Sequence, residues 1–335
     1  DNAAKWDHLK IAGPMLLSMA VAQIPFSGSD VGGFFGDPDV QLLARWYQAG
    51  AFHPFFRGHA HIDAKRREPY LFGEPYTSII RQAIRTRYSY MPYLYTQFYL
   101  NSITGMPIMR PLWVEFSSDP KTFGLENQFL VGSSLLVHPV VDPDVTTSIV
   151  YLPAGVEGVE EVWYDLQNDS RHPGGQTLNV LTPLQRIPVF QRGGSIIAKR
   201  ERARRNSALM AHDPYTLVIA LSAQMTASGK LFMDDMNSFD YQQPNGSIVQ
   251  LFEFRDGQLT GRFEKPTTFK DHNTIERIVI LGSGSTFTQA TIVAGTDVHN
   301  KEVQNVELAV QSTGSRLIIR KPDIRIGENF QIRFQ

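Results

Sequence analysis

Phe26-Ser27-Gly28-Ser29-Asp30-Val31-Gly32-Gly33-Phe34-Phe35 and Phe55-Phe56-Arg57-Gly58-His59-Ala60-His61-Ile62-Asp63 decide how the first third of the chain is read. Each stretch leaves an apolar run, Gln23–Phe26 or Ala51–Phe56, and passes at once into a polar loop containing glycine. Short apolar runs that end this way read as buried parallel strands. Between the two loops, Asp37 is placed to cap a helix with Pro38 at its first position, and Gly50 to end it. Beyond the second loop, Pro75 to Gly105 reads as one long helix. Ile80, Ile84, Tyr88, Met91, Tyr95 and Phe98 step by three and four along one face, and Pro92 is expected to kink it. Residues 1–105 thus alternate strand, loop and helix. Two such units cannot close a barrel of eight, so this α/β segment is expected to be the C-terminal part of a (β/α)8 TIM barrel whose earlier strands are absent.

After Gly105 the texture changes to short β-rich segments. Pro107–Phe116, Gln128–Val140, Ser148–Pro153, Glu161–Leu166 and Thr177–Val180 read as strands. So do Tyr215–Ser222, Lys230–Met233, Ile248–Phe254, Leu259–Phe263, Glu276–Gly282, Arg316–Arg320 and Phe330–Phe334. Their spacing predicts all-β sandwiches. The basic run Lys199–Arg205 reads as a solvated connector between two of them. The expected domains are therefore 1–105 (barrel part), 106–200 (proximal β-sandwich) and 201–335 (distal β-sandwich).

A length of 335 residues suits two or three domains, and 42% hydrophobic residues suffice for filled cores. The best apolar run, Pro14 to Phe26, is too short for a membrane span and carries Ser18 and Gln23. Asp1 to Lys10 is polar and reads as no secretory leader. A net charge of −1 argues against an electrostatic grip on nucleic acid or a membrane surface. With no cysteine, thiol catalysis, thiolate metal sites and disulfides are all excluded. The sequons at Asn168 and Asn245 are about what chance yields in a chain of this length.

Taken singly, the chemical candidates are ambiguous. An N-terminal Asp1 reads as a solvated residue, and Asp30-Val31-Gly32-Gly33 as an ordinary turn. His59 and His61 on a strand would share a face, as a zinc pair does, but no third ligand is obvious and no metal is expected. Asp234-Asp235 lacks the alternating oxygen ligands of a calcium loop and reads as a turn. Four tryptophans and many tyrosines offer sugar platforms, yet most are expected in the core.

Taken together, the motifs resemble glycoside hydrolase family 31. Asp1-Asn2-Ala3-Ala4-Lys5-Trp6-Asp7-His8-Leu9 is similar to that family's stretch after strand six, in which the acid/base Asp directly precedes Asn; the Gly that the family has before this Asp is lacking here. The Asp30–Phe34 loop resembles the one after strand seven, and the His59 loop the one after strand eight. Met109–Trp113, Leu136–Val140, Pro188–Gly194 and Leu231–Asp235 extend the resemblance along the whole chain. It implies Asp1 as general acid/base and His59 as a ligand of glucose hydroxyls. It also implies Asp30 hydrogen-bonding within or behind the pocket and Phe34 as its apolar wall. Arg57 and His61 would stand behind these groups. Retaining hydrolysis needs a second carboxylate about 5–5.5 Å away. The family's nucleophile run, Trp-x-Asp-Met-Asn-Glu, does not occur in this chain, nor do an arginine and a tryptophan of the same pocket. An N-terminal fragment of the same enzyme is therefore expected as a partner.

Within the family, Phe55–Asp63 continued by Arg66-Arg67-Glu68-Pro69-Tyr70 is most similar to the branch that removes terminal α-1,3-linked glucose from N-glycan oligosaccharides in the endoplasmic-reticulum lumen. That branch implies a non-catalytic β-subunit carrying the retention signal, which the ending Phe334-Gln335 lacks. No cofactor is implied. Alternatives are a sibling α-1,4-glucosidase, α-xylosidase or α-glucan lyase. A non-catalytic carbohydrate-binding β-sandwich protein is the other.

Overall fold

The computed structural model describes residues 2–284, 287–297, 299, 301–313 and 316–335. They fall into two compact units. The first is Asp1–Arg87, Leu100–Gln167 and Pro173–Gln191; the second is Tyr88–Tyr99, Asn168–His172 and Arg192–Gln335.

The first unit opens with helix α1 (Trp6–Val21), which buries Leu9, Ala12, Leu16, Leu17 and Ala20 and tolerates Pro14 inside it. Helix α2 (Val40–Gly50) is capped by Asp39, whose side chain accepts the Leu42 amide at 2.8 Å. The expected cap, Asp37, is employed elsewhere: its Oδ1 accepts the Lys65 amide at 2.8 Å. Trp46, Leu42 and Leu43 of α2 are fully buried with Leu9, Val31 and Ile80 in one core. In place of the single kinked helix there are two, α3 (Tyr76–Ser89) and α4 (Met91–Thr104). Pro92 sits in the first turn of α4, where its missing N–H costs nothing, so the chain breaks at Tyr90 instead of bending at Pro92. Gly105, at φ +75°, follows the end of α4 as expected.

Gln23–Phe26 and Ala51–Phe56 are not strands in the structure. Pro25 and Pro54 lack the amides that a ladder needs, and Ile24 and Phe26 are exposed. Pairing begins one step later. The Phe55 amide donates to Ser27 O at 3.0 Å and the Val31 amide to Arg57 O at 3.0 Å, with both numbers rising together as in a parallel pair. The β-rich part of this unit contains Met109–Arg110, Phe129–Val131, Leu135–Val137, Val162–Asp165 and Val189–Arg192 in one sheet. Thr147–Leu152 pairs with Gln176–Leu181. Pro107–Phe116 yields only a two-residue strand, because Pro111 stops it and a short helix, Leu112–Glu115, follows. Gln128–Val140 is a hairpin, with Gly132 at φ +59° just after its first strand. Leu112, Leu130, Leu136, Trp163 and Phe190 fill the core.

The second unit is built mainly on a sheet of twelve strands among the described residues, and Tyr88–Tyr99, which includes most of α4, belongs to it as well. Its strands bury a shared core that includes Leu217, Phe252, Phe254, Ile280, Ile319 and Ile332. Besides the expected strands it contains Ser195–Lys199 and Ala290–Thr296. The basic run is only partly solvated. Arg200 is buried, donating to the Tyr215 hydroxyl at 2.6 Å and to Asp213 O at 3.1 Å, and Arg204 pairs with Asp213. Its charges are spent on local fastening. Asp234-Asp235 forms a turn: Asp235 Oδ1 accepts the Asn237 and Ser238 amides, both at 3.0 Å. Among the described residues no helix is long and apolar enough to cross a membrane.

Candidate active site

Two loops, 27–36 and 55–67, lie side by side at the start of the first unit, and helix α2 between them in sequence fixes their origin. Trp46 Nε1 donates to Ser29 Oγ at 3.0 Å. Gly28 is required where the loops touch, because a Cβ there would fall 2.0 Å from Phe55 O.

Asp30 is buried and takes both Nε (2.8 Å) and Nη2 (2.7 Å) of Arg57 on its Oδ1. Its charge is therefore matched and its orientation fixed. Arg57, half-exposed, also lies over the Phe55 ring at 5.2 Å from the centroid. Phe34 lies between the two histidines, 5.4 Å from the His59 ring and 5.8 Å from the His61 ring, centroid to centroid. The His61 amide donates to Phe34 O at 2.8 Å, and its Nδ1 lies 3.3 Å from Asp63 Oδ2. Phe34, His59, His61, Asp30 and Arg57 thus belong to one cluster. It combines a part-buried aromatic ring and two imidazoles with an ion pair whose carboxylate is buried and whose guanidinium is half-exposed. No group of three or more His, Asp or Glu side chains among the described residues is placed to hold a metal ion.

Asp1 lies outside the described residues. Its neighbour Asn2 is fastened into the cluster. Asn2 O accepts the Phe34 amide at 2.8 Å and the Phe35 amide at 3.0 Å, while Asn2 Nδ2 donates to Asp30 O at 3.2 Å. Ala3 pairs with Phe35 in a parallel bridge and donates its amide to His8 Nδ1 at 3.0 Å. Gly33, at φ +84°, admits this strand of chain, since a Cβ would stand 2.4 Å from the Ala4 amide nitrogen. Two residues of this construction escaped the sequence reading. Asn2 was seen only as the companion of Asp1. The other is Arg67, whose guanidinium donates to the carbonyls of Gly32, Gly33 and Gly36; the signal for it is an arginine near a glycine-rich turn.

The Glycosyl hydrolases family 31 TIM-barrel domain model matches residues 1–97, and the Glycosyl hydrolase family 31 C-terminal domain model matches residues 105–197. The chain belongs to glycosyl hydrolase family 31. It is 48% identical over 336 residues to neutral alpha-glucosidase AB of Dictyostelium discoideum, covering 99% of this chain and 34% of that protein. It is 45% identical to a probable glucan 1,3-alpha-glucosidase of Oryza sativa subsp. japonica, covering 99% of this chain and 36% of that protein. Among solved structures, the glucosidase II alpha subunit bound to Glc1Man2 superposes with a TM-score of 0.92 at 37% identity, over 100% of this chain and 37% of that one. The catalytic subunit in the heterodimeric complex with the binding domain of its regulatory subunit gives 0.91. The fold class is the expected one, part of a TIM barrel followed by β-domains. The chain spans about a third of the length of the curated relatives it matches.

Proposed function

We propose that this chain carries the acid/base half and part of the glucose pocket of a retaining exo-α-glucosidase. The observation that supports it is the convergence of three separate stretches on one spot. The amides of Phe34 and Phe35 hold Asn2, and the Phe34 ring meets His59. In this reading a carboxylate from outside these 335 residues attacks the anomeric carbon, and the Asp1 carboxyl gives its proton to the departing glycosidic oxygen. The Asp1 carboxylate then takes a proton from the water that cleaves the glycosyl-enzyme, so the α configuration is kept. His59 bonds glucose hydroxyls and Phe34 shapes the apolar wall. Asp30, bound by Arg57, supports the wall from beneath.

The proposed substrate is a terminal α-1,3-linked glucose on an N-glycan, in the endoplasmic-reticulum lumen. The proposed partners are the polypeptide carrying the nucleophile and a non-catalytic β-subunit. The names of the two relatives and the two glucosidase II structures support this choice over an α-xylosidase or α-glucan lyase. The test is Asp1→Asn in the intact enzyme, assayed on α-glucosides of graded leaving-group acidity. Turnover should fall about 10²–10⁴-fold for poor leaving groups and much less for good ones. An equal loss for both removes Asp1 from the acid role. Activity on an aryl α-xyloside exceeding that on the α-glucoside would favour the sibling reading.

A further inference from the structure

Arg67 stands at the far end of the His59 loop and makes an unusual set of bonds. Nη1 donates to Gly32 O at 3.1 Å and to Gly33 O at 2.6 Å; Nη2 donates to Gly36 O at 2.6 Å. All three acceptors are carbonyls of glycines at positive φ: +89°, +84° and +76°. A turn that winds left-handed at three places leaves these carbonyls converging without backbone partners, and unmade bonds of this kind are costly when partly buried. A planar guanidinium serves all three from two nitrogens held in a fixed fork, whereas an ammonium offers three donors from a single point. Among the described residues Arg67 makes no ion pair, so its bonding is committed to this turn. Its neighbour Arg66 is occupied by Glu68.

We infer that Arg67 is a positioning residue that sets the place of the acid/base through the backbone of the 32–36 turn. The route is short and continuous. Arg67 holds Gly33 O; the next two amides, of Phe34 and Phe35, hold Asn2 O. Asn2 is bonded in the chain to Asp1. The opposite end of the same loop is held by Arg57 on Asp30, and the middle by the His61 amide on Phe34 O. The loop bearing His59 is thus stapled at both ends to the turn bearing Phe34, and Asn2 is attached within that span, its carbonyl to the Phe34 and Phe35 amides just after the Gly33 carbonyl that Arg67 holds. Loosening the Arg67 end shifts the proton donor relative to the sugar as well as the wall of the pocket. This inference rests on the acid/base reading of Asp1.

The experiment is kinetic, on the intact enzyme, with Arg67→Met and Arg67→Lys beside Asp1→Asn. Misplacement of a catalytic group by about 1 Å costs on the order of 10² in rate. Arg67→Met is expected to lose about 10²-fold in kcat/KM on a disaccharide with a poor leaving group, and under about 10-fold on an activated aryl α-glucoside. Arg67→Lys should fall between Arg67→Met and wild type on the disaccharide, since it restores some of the bonds. Rates are to be referred to active enzyme by titration with a covalent glucosidase inactivator, so that a poorly folded fraction drops out. If Asp1→Asn shows the leaving-group dependence and neither Arg67 variant does, Arg67 is only a structural brace and the inference is overturned alone. If Asp1→Asn lacks it too, the acid/base reading fails and takes this inference with it.

Discussion

The loops of the candidate site and the sheet of the second unit solve the same problem by opposite means. In the second unit, backbone groups satisfy one another along long ladders. Thr274–Leu281 pairs with Tyr215–Ala220 on one side and Arg316–Arg325 on the other, and Leu217, Ile280 and Ile319 beneath are wholly buried. Side chains there supply mainly apolar area. In the loops the backbone satisfies itself only in part, and arginines take carbonyls that are left over. Arg67 serves the carbonyls of Gly32, Gly33 and Gly36. Arg87 serves Ala51, His53 and Pro54, at 3.3, 2.5 and 2.7 Å. Arg45 serves Thr182 O at 2.7 Å and Arg186 O at 2.8 Å from helix α2. Burial without a carboxylate holds Arg45 down to about 10. Backbone geometry in the first region is therefore set by a few polar side chains, in the second by many apolar ones. Single substitutions should separate catalysis from stability accordingly.

The largest expected effect is on stability in the sheet. Phe254→Ala removes a fully buried ring from the second unit's core and should cost about 3–5 kcal/mol of unfolding free energy. Denaturant titration of the intact enzyme checks this. In the material that stays folded, the ratio of rates on good and poor leaving groups should be unchanged. A changed ratio would mean that the contrast between the regions is false.

Next in size is His59→Ala, which should weaken both turnover and the binding of a glucose-like iminosugar by about 1–3 kcal/mol, because buried sugar hydroxyls lose a partner. Calorimetric titration measures it. If His61→Ala abolishes binding while His59→Ala leaves it intact, the wrong histidine has been assigned.

Acid should test the packed interior of the first unit rather than its loops. Burial, helped by the Arg87 charge, holds His53 down to about 3, and burial holds His138 down to about 4. Both imidazoles are therefore neutral when folded, while in the unfolded chain they titrate near 6.5. Between these values the unfolded chain binds protons that the folded one refuses. Stability is complete above about 6.5 and declines as the pH falls toward 3–4. His53→Gln should flatten part of the decline in a melting-temperature series from pH 7 to 4. An unchanged slope would remove His53 from the explanation.

The smallest effect is expected at the wall. Phe34→Ala should blur the preference for glucosides over xylosides by a few-fold to about 100-fold while slowing chemistry less. A rate loss with unaltered preference would make Phe34 a brace for Asn2 instead of a selector.

The same contrast explains what the sequence made legible. In the second unit, the β-rich runs Ile248–Phe254 and Leu259–Phe263 read as strands, and the structure extends each by a residue at most. In the first unit the prolines misled. Pro92 suggests a kink but lies in the first turn of a new helix, and Pro25 and Pro54 sit in apolar runs that suggest strands but lack the amides for ladders. Asp37 is the cap expected from the sequence, but Asp39 caps the helix and Asp37 instead accepts the Lys65 amide, a partner far along the chain. Asp30, Phe34, His59, Arg57 and His61 were legible as site candidates because each belongs to a motif. Asn2 and Arg67 were not, since their importance lies in carbonyls and amides whose positions only the folded turn defines.

Asp1 is proposed above as the acid/base of a retaining glucosidase. The most direct measurement is azide rescue of Asp1→Asn in the intact enzyme, with an activated aryl α-glucoside as substrate. Such a substrate still forms the glycosyl-enzyme, and its breakdown then lacks a base to activate water, whereas azide needs none. Added azide should accelerate turnover and yield α-glucosyl azide, identified by NMR. No acceleration, or a β-glucosyl azide product, would contradict the assignment.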